Sequence, residues 1–303
     1  MQGRQVRVLA RLTCLLSLMV VGVSAYLRLS GAGLGCTDWP ACYGQILSGT
    51  VHAPWVGARF VHRFVATSAL LACIGLVWRC WRPQPLQPAA RYAALLLALM
   101  LFLSIVGVWS SDPRQVLVNF VNLVGGLGLV SYAWRAAITA EPARWMERGR
   151  GGPVCRAALA MLTLTVCLGG LMGARYAASA CGTLPHCQGV WWPALQGWTA
   201  LNPVAVLSGP SKPGEAGGLA LHLLHRYAGV LSAVLLAWAA LRLRKAPQAR
   251  NAALTTLTFL AIEALLGVLT VASDYSLWLA VAHNVGAAML LAAAASLMHS
   301  VRQ

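Results

Sequence analysis

Long runs of apolar residues dominate this chain, and its polar residues collect in the shorter segments between them. A helix needs about 20 apolar residues to cross the hydrocarbon core of a bilayer, and eight runs are of suitable length. These runs are Val8–Leu27, Phe60–Trp78, Tyr92–Trp109, Val116–Trp134, Ala157–Ala174, Leu219–Leu241, Ala252–Ala272 and Leu277–Met298. The first run is too long for the core of a signal peptide and is therefore also expected to be a helix. The pattern predicts an all-α integral membrane protein with eight transmembrane helices.

The composition agrees with this class, because 59% of the 303 residues are hydrophobic and only 10% are charged. A net charge of +16 is also typical of nucleic-acid-binding proteins, but 16 of the 23 Lys and Arg residues fall on one side of the eight-helix topology. These residues are Arg4, Arg7, Arg11, Arg79, Arg82, Arg91, Arg135, Arg144, Arg148, Arg150, Arg156, Arg242, Arg244, Lys245, Arg250 and Arg302. Basic residues concentrate in cytoplasmic loops. We therefore expect a bacterial plasma (inner) membrane protein with both termini in the cytoplasm, in contact with membrane lipid and with no nucleic-acid partner.

Two long segments, residues 29–59 and 175–218, are then predicted to face outward. They contain five tryptophans, namely Trp39, Trp55, Trp191, Trp192 and Trp198. Tryptophan is enriched where a membrane protein meets the interface between lipid and water, so these residues are expected to be interfacial anchors.

The sequence repeats itself once. Each outer segment carries a C-x5-C pair, and the next helix in each half opens with His-Arg-aromatic, at His62 and at His225. The following helices match as IVGVWSSD (Ile105–Asp112) and LLGVLTVASD (Leu265–Asp274) with one gap. The repeat predicts two tandem four-helix bundles. Their expected bounds are 1–137 for the N-terminal half, 138–153 for a cytoplasmic linker and 154–303 for the C-terminal half.

His225 and His283 are the strongest candidates for a functional site. Each lies about six residues into an apolar run that enters from the outer side, so the two imidazoles are expected at the same depth. Ionisable groups inside membrane helices are costly and usually functional. Two facing imidazoles can ligate the iron of a haem, and haem b (iron protoporphyrin IX) is the expected cofactor. The alternative is a pair of buried, hydrogen-bonded histidines; zinc fits less well, because it prefers three or four ligands and no carboxylate or thiol is expected at that depth.

Three further residues of the C-terminal half are open to two interpretations each. Arg226 follows a candidate ligand directly and is expected to bind a haem propionate or to bond between helices. His222 lies on the same helical face as His225 and is either a propionate contact or an interfacial residue. Glu263 is either a second-shell or proton-relay group, or a protonated carboxyl bonded to a neighbour.

The N-terminal half carries only part of this pattern. His62 is 57 residues before Asn119, whereas His225 is 58 residues before His283, so Asn119 takes the place of the second histidine. Asparagine is a poor iron ligand, and a haem here would be held from one side by His62. An open face suits a substrate haem, but a vestigial site would look the same.

The cysteine pairs face an oxidising compartment, and a disulfide is the leading interpretation in each half. The pairs are Cys36 with Cys42 and Cys181 with Cys187. An exposed disulfide near a haem could also exchange electrons, so a redox role stays open beside a structural one. The other five cysteines are expected to be packing residues; these are Cys14, Cys73, Cys80, Cys155 and Cys167.

Taken together, these features resemble the haem A synthase family over nearly the whole chain. The motifs that carry the resemblance are GLGCTDWPACYGQ and ACGTLPHCQG in the outer segments, VHRF at His62, LHLLHRYAG at His225 and LAVAHNVGAA at His283. The resemblance implies a membrane oxidoreductase that oxidises a ring methyl of haem O to a formyl group. It also implies haem b in the C-terminal half, substrate haem O at His62, a haem O farnesyltransferase upstream and a terminal oxidase downstream.

Two positions depart from the family pattern. The family often has a Glu three residues before the first His, where this chain has Arg59, and a cation cannot accept a proton there. The family also has a His at the position of Asn119. Asp38, in the neighbouring loop, is a candidate replacement for the carboxylate. The first hypothesis is therefore a haem A synthase-type enzyme with His62, Arg59 and Asn119 at its substrate site; the alternative is a catalytically impaired haem-binding assembly factor for a terminal oxidase. A dihaem electron carrier or a small-solute transporter is a third, weaker class.

Overall fold

The computed structural model describes residues 2–31, 56–82, 87–108, 115–140, 152–202, 204 and 216–301. Within them, eight helices are long and apolar enough to cross a membrane, which confirms the predicted class. They are α1 Gln2–Gly31, α2 Val56–Trp81, α3 Gln87–Val106, α4 Val116–Thr139, α5 Gly152–Ala174, α6 Ala216–Leu243, α7 Arg250–Ala272 and α8 Leu277–Val301. A 3₁₀ turn (Ala178–Ala180) and a short helix (Leu195–Thr199) lie between α5 and α6.

The apolar runs locate the helices well but not their ends. Helix α1 extends from Gln2 to Gly31, beyond both ends of the predicted run, because its basic first turns remain helical. Helix α3 ends at Val106 and is followed by a turn at Gly107, so the predicted end at Trp109 is wrong. Helix α6 begins at Ala216, which puts His225 nine residues into the helix rather than about six.

The eight helices form two four-helix units with the same internal arrangement. In the first unit α1 packs on α2 and α4, and α3 packs on α2 and α4; in the second, α5 packs on α6 and α8, and α7 packs on α6 and α8. Between the units, α1 contacts α8, α5 contacts α4, and α4 contacts α8. If α1 is exchanged with α5 and α4 with α8, the same three contacts between the units result. The arrangement is that of two tandem bundles, in which α6 and α8 lie diagonally opposite each other, as do α2 and α4.

Small residues allow the helices to approach closely. Alanines such as Ala93, Ala133 and Ala136 are fully buried in the core of the first bundle, and Ala158, Ala240 and Ala253 are fully buried in the second. This is the usual way in which membrane helices gain packing energy, because lipid provides little hydrophobic driving force between them.

Polar contacts join the ends of the helices and the two units. At one end, Gln2 donates to the carbonyls of Arg79 and Arg82, and Arg7 donates to Ala140 O at 3.1 Å, so the basic ends of α1 and α2 and the end of α4 lie together. Between the units, Trp134 Nε1 donates to Ser296 Oγ at 2.6 Å. Arg28 donates to Asn284 Oδ1 at 3.2 Å and to Gly173 O at 3.3 Å.

Candidate haem site

His225 on α6 and His283 on α8 meet across the diagonal of the second bundle. Their ring centres are 6.5 Å apart, and the ring planes are at 83° to each other. The side chain of His283 keeps 29% of its surface accessible, which leaves room beside the ring. The structure therefore brings together the two residues that the repeat and their depth singled out.

The position of His225 is set by α5. Its Nδ1 lies 3.0 Å from the backbone carbonyl oxygen of Thr165. A carbonyl oxygen can only accept, so this contact places the ring proton on Nδ1 and leaves Nε2 without a proton. Gly169, one turn further along α5, makes room for the ring, because a Cβ there would lie 2.8 Å from Cε1 of His225.

The position of His283 is set by α7 in a similar way. Its Nδ1 lies 3.1 Å from Oε1 of Glu263, although the ring N–H is not aligned well enough with the oxygen to count as a hydrogen bond. Gly267, one turn further along α7, accommodates the ring, since a Cβ there would lie 3.2 Å from Cε1 of His283. The expectation that no carboxylate reaches the level of the histidines is therefore wrong.

The two imidazoles fit an iron atom held between them. An ion about 2 Å from each ligating nitrogen separates opposed ring centres by about 6 Å, because each centre lies about 1 Å behind its nitrogen. The observed 6.5 Å agrees with this spacing. Both Nδ1 atoms face protein oxygens, so both Nε2 atoms are left for a metal, as second-shell contacts normally arrange. Among the described residues, no group of three or more His, Cys, Asp or Glu side chains could hold a metal ion.

Arg226 binds the loop above the histidines. Its guanidinium donates to the carbonyl oxygens of Thr183 at 2.8 Å, Cys181 at 3.1 Å and His186 at 3.3 Å. It therefore joins a helix to a loop, which differs from both expected interpretations, a propionate contact and a bond between helices. Any propionate contact would have to use the donors that remain.

His222 and Tyr275 lie beneath the same loop. His222 is buried, and the two rings make an edge contact with 6.4 Å between centres. The hydroxyl of Tyr275 donates to the carbonyl of Cys181. Burial raises the pKa of Tyr275, against the smaller opposing effect of Arg226, so the phenol stays protonated and remains a donor.

Cys181 and Cys187 form a disulfide, and both are fully buried. They pack against Leu219 and Leu223 at the start of α6. Burial keeps an attacking thiolate away from the sulfurs, which favours the structural interpretation over electron exchange. Cys36, Cys42 and Asp38 lie outside the described residues.

The first bundle places its candidate residues differently. Arg59 is exposed in the first turn of α2, His62 is half-buried one turn further on, and Asn119 is buried on α4. Beside Ala58 and Val61 of α2, an apolar groove of about 420 Å³ opens between α1, α2 and α8. It is lined by Met19, Gly22, Val23, Tyr26, Ala58, Val61, Trp278 and Val281.

Sequence reasoning overlooked the residues that support the ligands, namely Thr165, Gly169, Gly267, Gly286 and Tyr275. A signal existed for the glycines, because a glycine inside an apolar helix lowers helix stability and usually has a packing reason. No signal marked Thr165, which acts through its backbone.

Comparison with known proteins finds related sequences along most of the chain. The model of the COX15-CtaA family, described as cytochrome oxidase assembly protein, matches residues 7–55 and 115–295. A heme A synthase of Shewanella oneidensis is 31% identical over 93% of this chain and 92% of its own length. A heme A synthase of Novosphingobium aromaticivorans is 26% identical over 90% of this chain and 88% of its own. A protoheme IX farnesyltransferase of Thermus thermophilus is 27% identical over 88% of this chain, but over only 43% of its own length.

The fold and these matches define a multi-pass membrane oxidoreductase built from two four-helix units. The chain belongs to the haem A synthase family. The residues matched to the family model do not include 56–114, the stretch that contains α2 and α3 with Arg59 and His62.

Proposed function

We propose that this protein converts haem O to haem A, oxidising a ring methyl to a formyl group by successive hydroxylation, with a haem b held between His225 and His283. The observation that carries the proposal is the pair of facing imidazoles, 6.5 Å apart, whose Nδ1 atoms both face protein oxygens. Relatives named heme A synthase along nearly the whole chain support the same reaction.

In the C-terminal half, residues 154–303, the protein's own side chains hold and orient the cofactor. His225 and His283 ligate the iron, and haem b supplies a one-electron carrier when bound. His222 is buried, and its Nδ1 has no hydrogen-bond partner among the described residues, which suits contact with a propionate. Arg226 helps indirectly, because it fixes the disulfide loop above the site.

In the N-terminal half, residues 1–137, substrate haem O binds with His62 as its iron ligand. Asn119 does not replace the second histidine as a ligand, so the opposite face stays open for the reaction. The apolar groove beside α2 suits a hydrophobic substrate. Arg59, near the outer end of α2, is a cation that can pair with a carboxylate of the substrate.

The proposed partners and location follow from this reaction. Haem O comes from a haem O farnesyltransferase, and the product passes to a terminal oxidase. A protein named protoheme IX farnesyltransferase that resembles this chain over part of its length is consistent with a close relation between the two activities. The protein resides in the bacterial plasma membrane with both termini in the cytoplasm and with 138–153 as a cytoplasmic linker, as the basic residues at one end of the bundles suggest.

One observation favours a second candidate, a haem-binding assembly factor without turnover. The stretch missing from the family match, residues 56–114, contains Arg59 and His62, and Asn119 stands just beyond it. The departures therefore concentrate on the substrate side of the molecule and spare the cofactor side.

Pigment analysis distinguishes the two candidates. The protein is co-expressed with a source of haem O, purified in detergent, and its haems are extracted and separated. Formyl-bearing haem A supports the enzyme, whereas haem b with unchanged haem O supports the assembly factor. A colourless protein without iron would overturn both. A His62→Ala variant is the matched control, because it should remove haem A while leaving haem b in place.

A further inference from the structure

Glu263 is unusual among the charged residues of this chain. The sequence contains seven acidic residues, and in the described structure Glu263 is the one that lies inside a membrane helix. Its side chain is only 13% exposed, and its Oε1 lies 3.1 Å from Nδ1 of His283. A carboxyl group at such a position costs free energy unless it has a specific partner, and such residues are usually functional.

The contact between Glu263 and His283 is built by both helices. Glu263 and Gly267 are one turn apart on α7, while His283 and Gly286 are one turn apart on α8. The ring of His283 packs against Gly267, and the carboxyl group of Glu263 packs so closely against Gly286 that a Cβ there would force the carboxyl group to move. Each helix thus provides one large polar side chain and one glycine, and each glycine receives the side chain of the other helix.

The same spacing occurs at His225, but with a different acceptor. Thr165 and Gly169 are four residues apart on α5, as Glu263 and Gly267 are on α7. The ring of His225 meets a neutral backbone carbonyl, whereas that of His283 meets a carboxyl group. A carboxylate beside the second nitrogen makes an imidazole a more basic ligand than a neutral acceptor does.

The first bundle provides an internal comparison. Matching Gly107 with Gly267 along the repeat aligns Leu103 with Glu263, and Asn119 aligns with His283. The glycine is thus present in both halves, while the carboxyl and imidazole groups are both absent from the first. Leu103 packs against Gly125 on α4 instead. The fold therefore does not need an acidic residue at this position, and the half that has His283 in place of Asn119 is the half that has one.

We propose that Glu263 is a positioning residue for His283: it orients the ring with Nε2 toward the iron and makes His283 the more basic of two unequal axial ligands. This inference rests on the proposed bis-histidine haem b. A more basic ligand stabilises the ferric state over the ferrous state, because the oxidised iron carries more positive charge. The greater basicity of His283 is therefore expected to lower the reduction potential of the haem.

The test is a redox titration of the purified haem-loaded protein, compared with its Glu263→Gln variant. Glutamine keeps the size of the side chain and removes its charge. We expect the protein's affinity for ferric haem, relative to its affinity for ferrous haem, to fall about tenfold. This change raises the midpoint potential by about 59 mV for a one-electron couple. Asp274→Asn is the matched control, because it makes the same chemical change at an exposed position just beyond α7, in a left-handed conformation that asparagine tolerates. Its potential should equal that of the wild type.

A second variant tests the contact without changing any charged group. In Gly286→Ala the added methyl group displaces the carboxyl group from His283, and the midpoint potential should rise toward that of Glu263→Gln. Combining the two substitutions should give no larger shift than Glu263→Gln alone, because both remove one contact. Glu263→Asp, which restores the charge, should recover part of the shift.

The inference is overturned if Glu263→Gln binds haem with an unchanged potential, or if Asp274→Asn shifts it equally. Either result, obtained with a low-spin haem that depends on His225 and His283, would leave the proposed function intact. A wild-type protein that binds no haem would instead overturn the proposed function. If Glu263→Gln cannot be purified, the potential of Gly286→Ala decides the question.

Discussion

The two halves of this protein share one framework but differ in what that framework supports. In the second half, each histidine is paired with a glycine of the preceding helix and with an oxygen acceptor four residues before that glycine. In the first half, Gly107 occupies the position of Gly267, and counting back from Arg28 and Arg175 places Gly22 at the position of Gly169. Yet a Cβ at Gly22 would approach only Val285, at 3.5 Å, and not His62.

This difference shows which features depend on the fold and which on the ligand. Both halves have glycines at these positions, but among the described residues a Cβ would approach an imidazole ring only at Gly169 and Gly267. The oxygens that face Nδ1 of His225 and Nδ1 of His283, namely Thr165 O and Glu263 Oε1, both belong to the second half. The family model also matches α4 through α8 without a break, while it omits the stretch containing α2 and α3. This difference agrees with the proposal that the second half holds a cofactor and that the first half does not repeat its site.

Removing a ligand should have the largest effect and tests the comparison directly. His225→Ala or His283→Ala should abolish the low-spin haem spectrum of the purified protein, because the remaining imidazole cannot provide both axial bonds. His62→Ala should leave that spectrum largely intact. Loss of the low-spin signal in His62→Ala, with retention in His283→Ala, would mean that the roles of the two halves have been assigned the wrong way round.

Filling the glycine positions should have the next largest effect. Gly169→Ala brings a methyl group to 2.8 Å from the His225 ring, and Gly267→Ala brings one to 3.2 Å from the His283 ring. Overpacking of this kind lowers the free energy of unfolding by about 1–3 kcal/mol. We expect both variants to bind less haem, with the larger loss in Gly169→Ala. Gly22→Ala is the control from the first half and should retain a normal haem b content, which is the quantity compared in all three variants. Equal losses in all three variants would show that the glycines serve helix packing alone.

Breaking the disulfide should have an intermediate effect. The Cys181–Cys187 bond closes a short loop, so replacing both residues with serine should lower the free energy of unfolding by about 2 kcal/mol. Thermal unfolding in detergent measures this loss. If the bond exchanges electrons instead, the double variant should lose product formation while its melting temperature stays unchanged. That outcome would contradict a structural role.

The smallest effect is expected at the contact between the halves. Ser296→Ala removes the acceptor of the Trp134 indole N–H and should cost about 1 kcal/mol of stability, because the donor is left unpaired. Haem content should not change, since this contact involves neither ligand. A change in the haem spectrum would show that the two halves are more closely coupled than the separate sites suggest.

Much of this architecture could be predicted from the sequence, for physical reasons. Apolar runs of membrane-spanning length are a strong signal, because lipid leaves the backbone few alternatives to a helix. The paired histidines could be found because ionisable residues are rare inside such runs. The contact between Glu263 and His283 could not be found, because it depends on how α7 and α8 are rotated against each other, and the apolar pattern of a lipid-facing helix says little about rotation. For the same reason, the carbonyl of Thr165 was invisible to sequence reasoning.

The bond from Arg28 to Asn284 carries a further consequence. Asn284 directly follows His283, the proposed iron ligand, while Arg28 lies in the last turn of α1 and also bonds to α5. The end of the first membrane span is therefore tied to the chain immediately after the ligand. Through these bonds, a displacement of the end of α1 in the first unit would reach the residue beside His283 in the second unit.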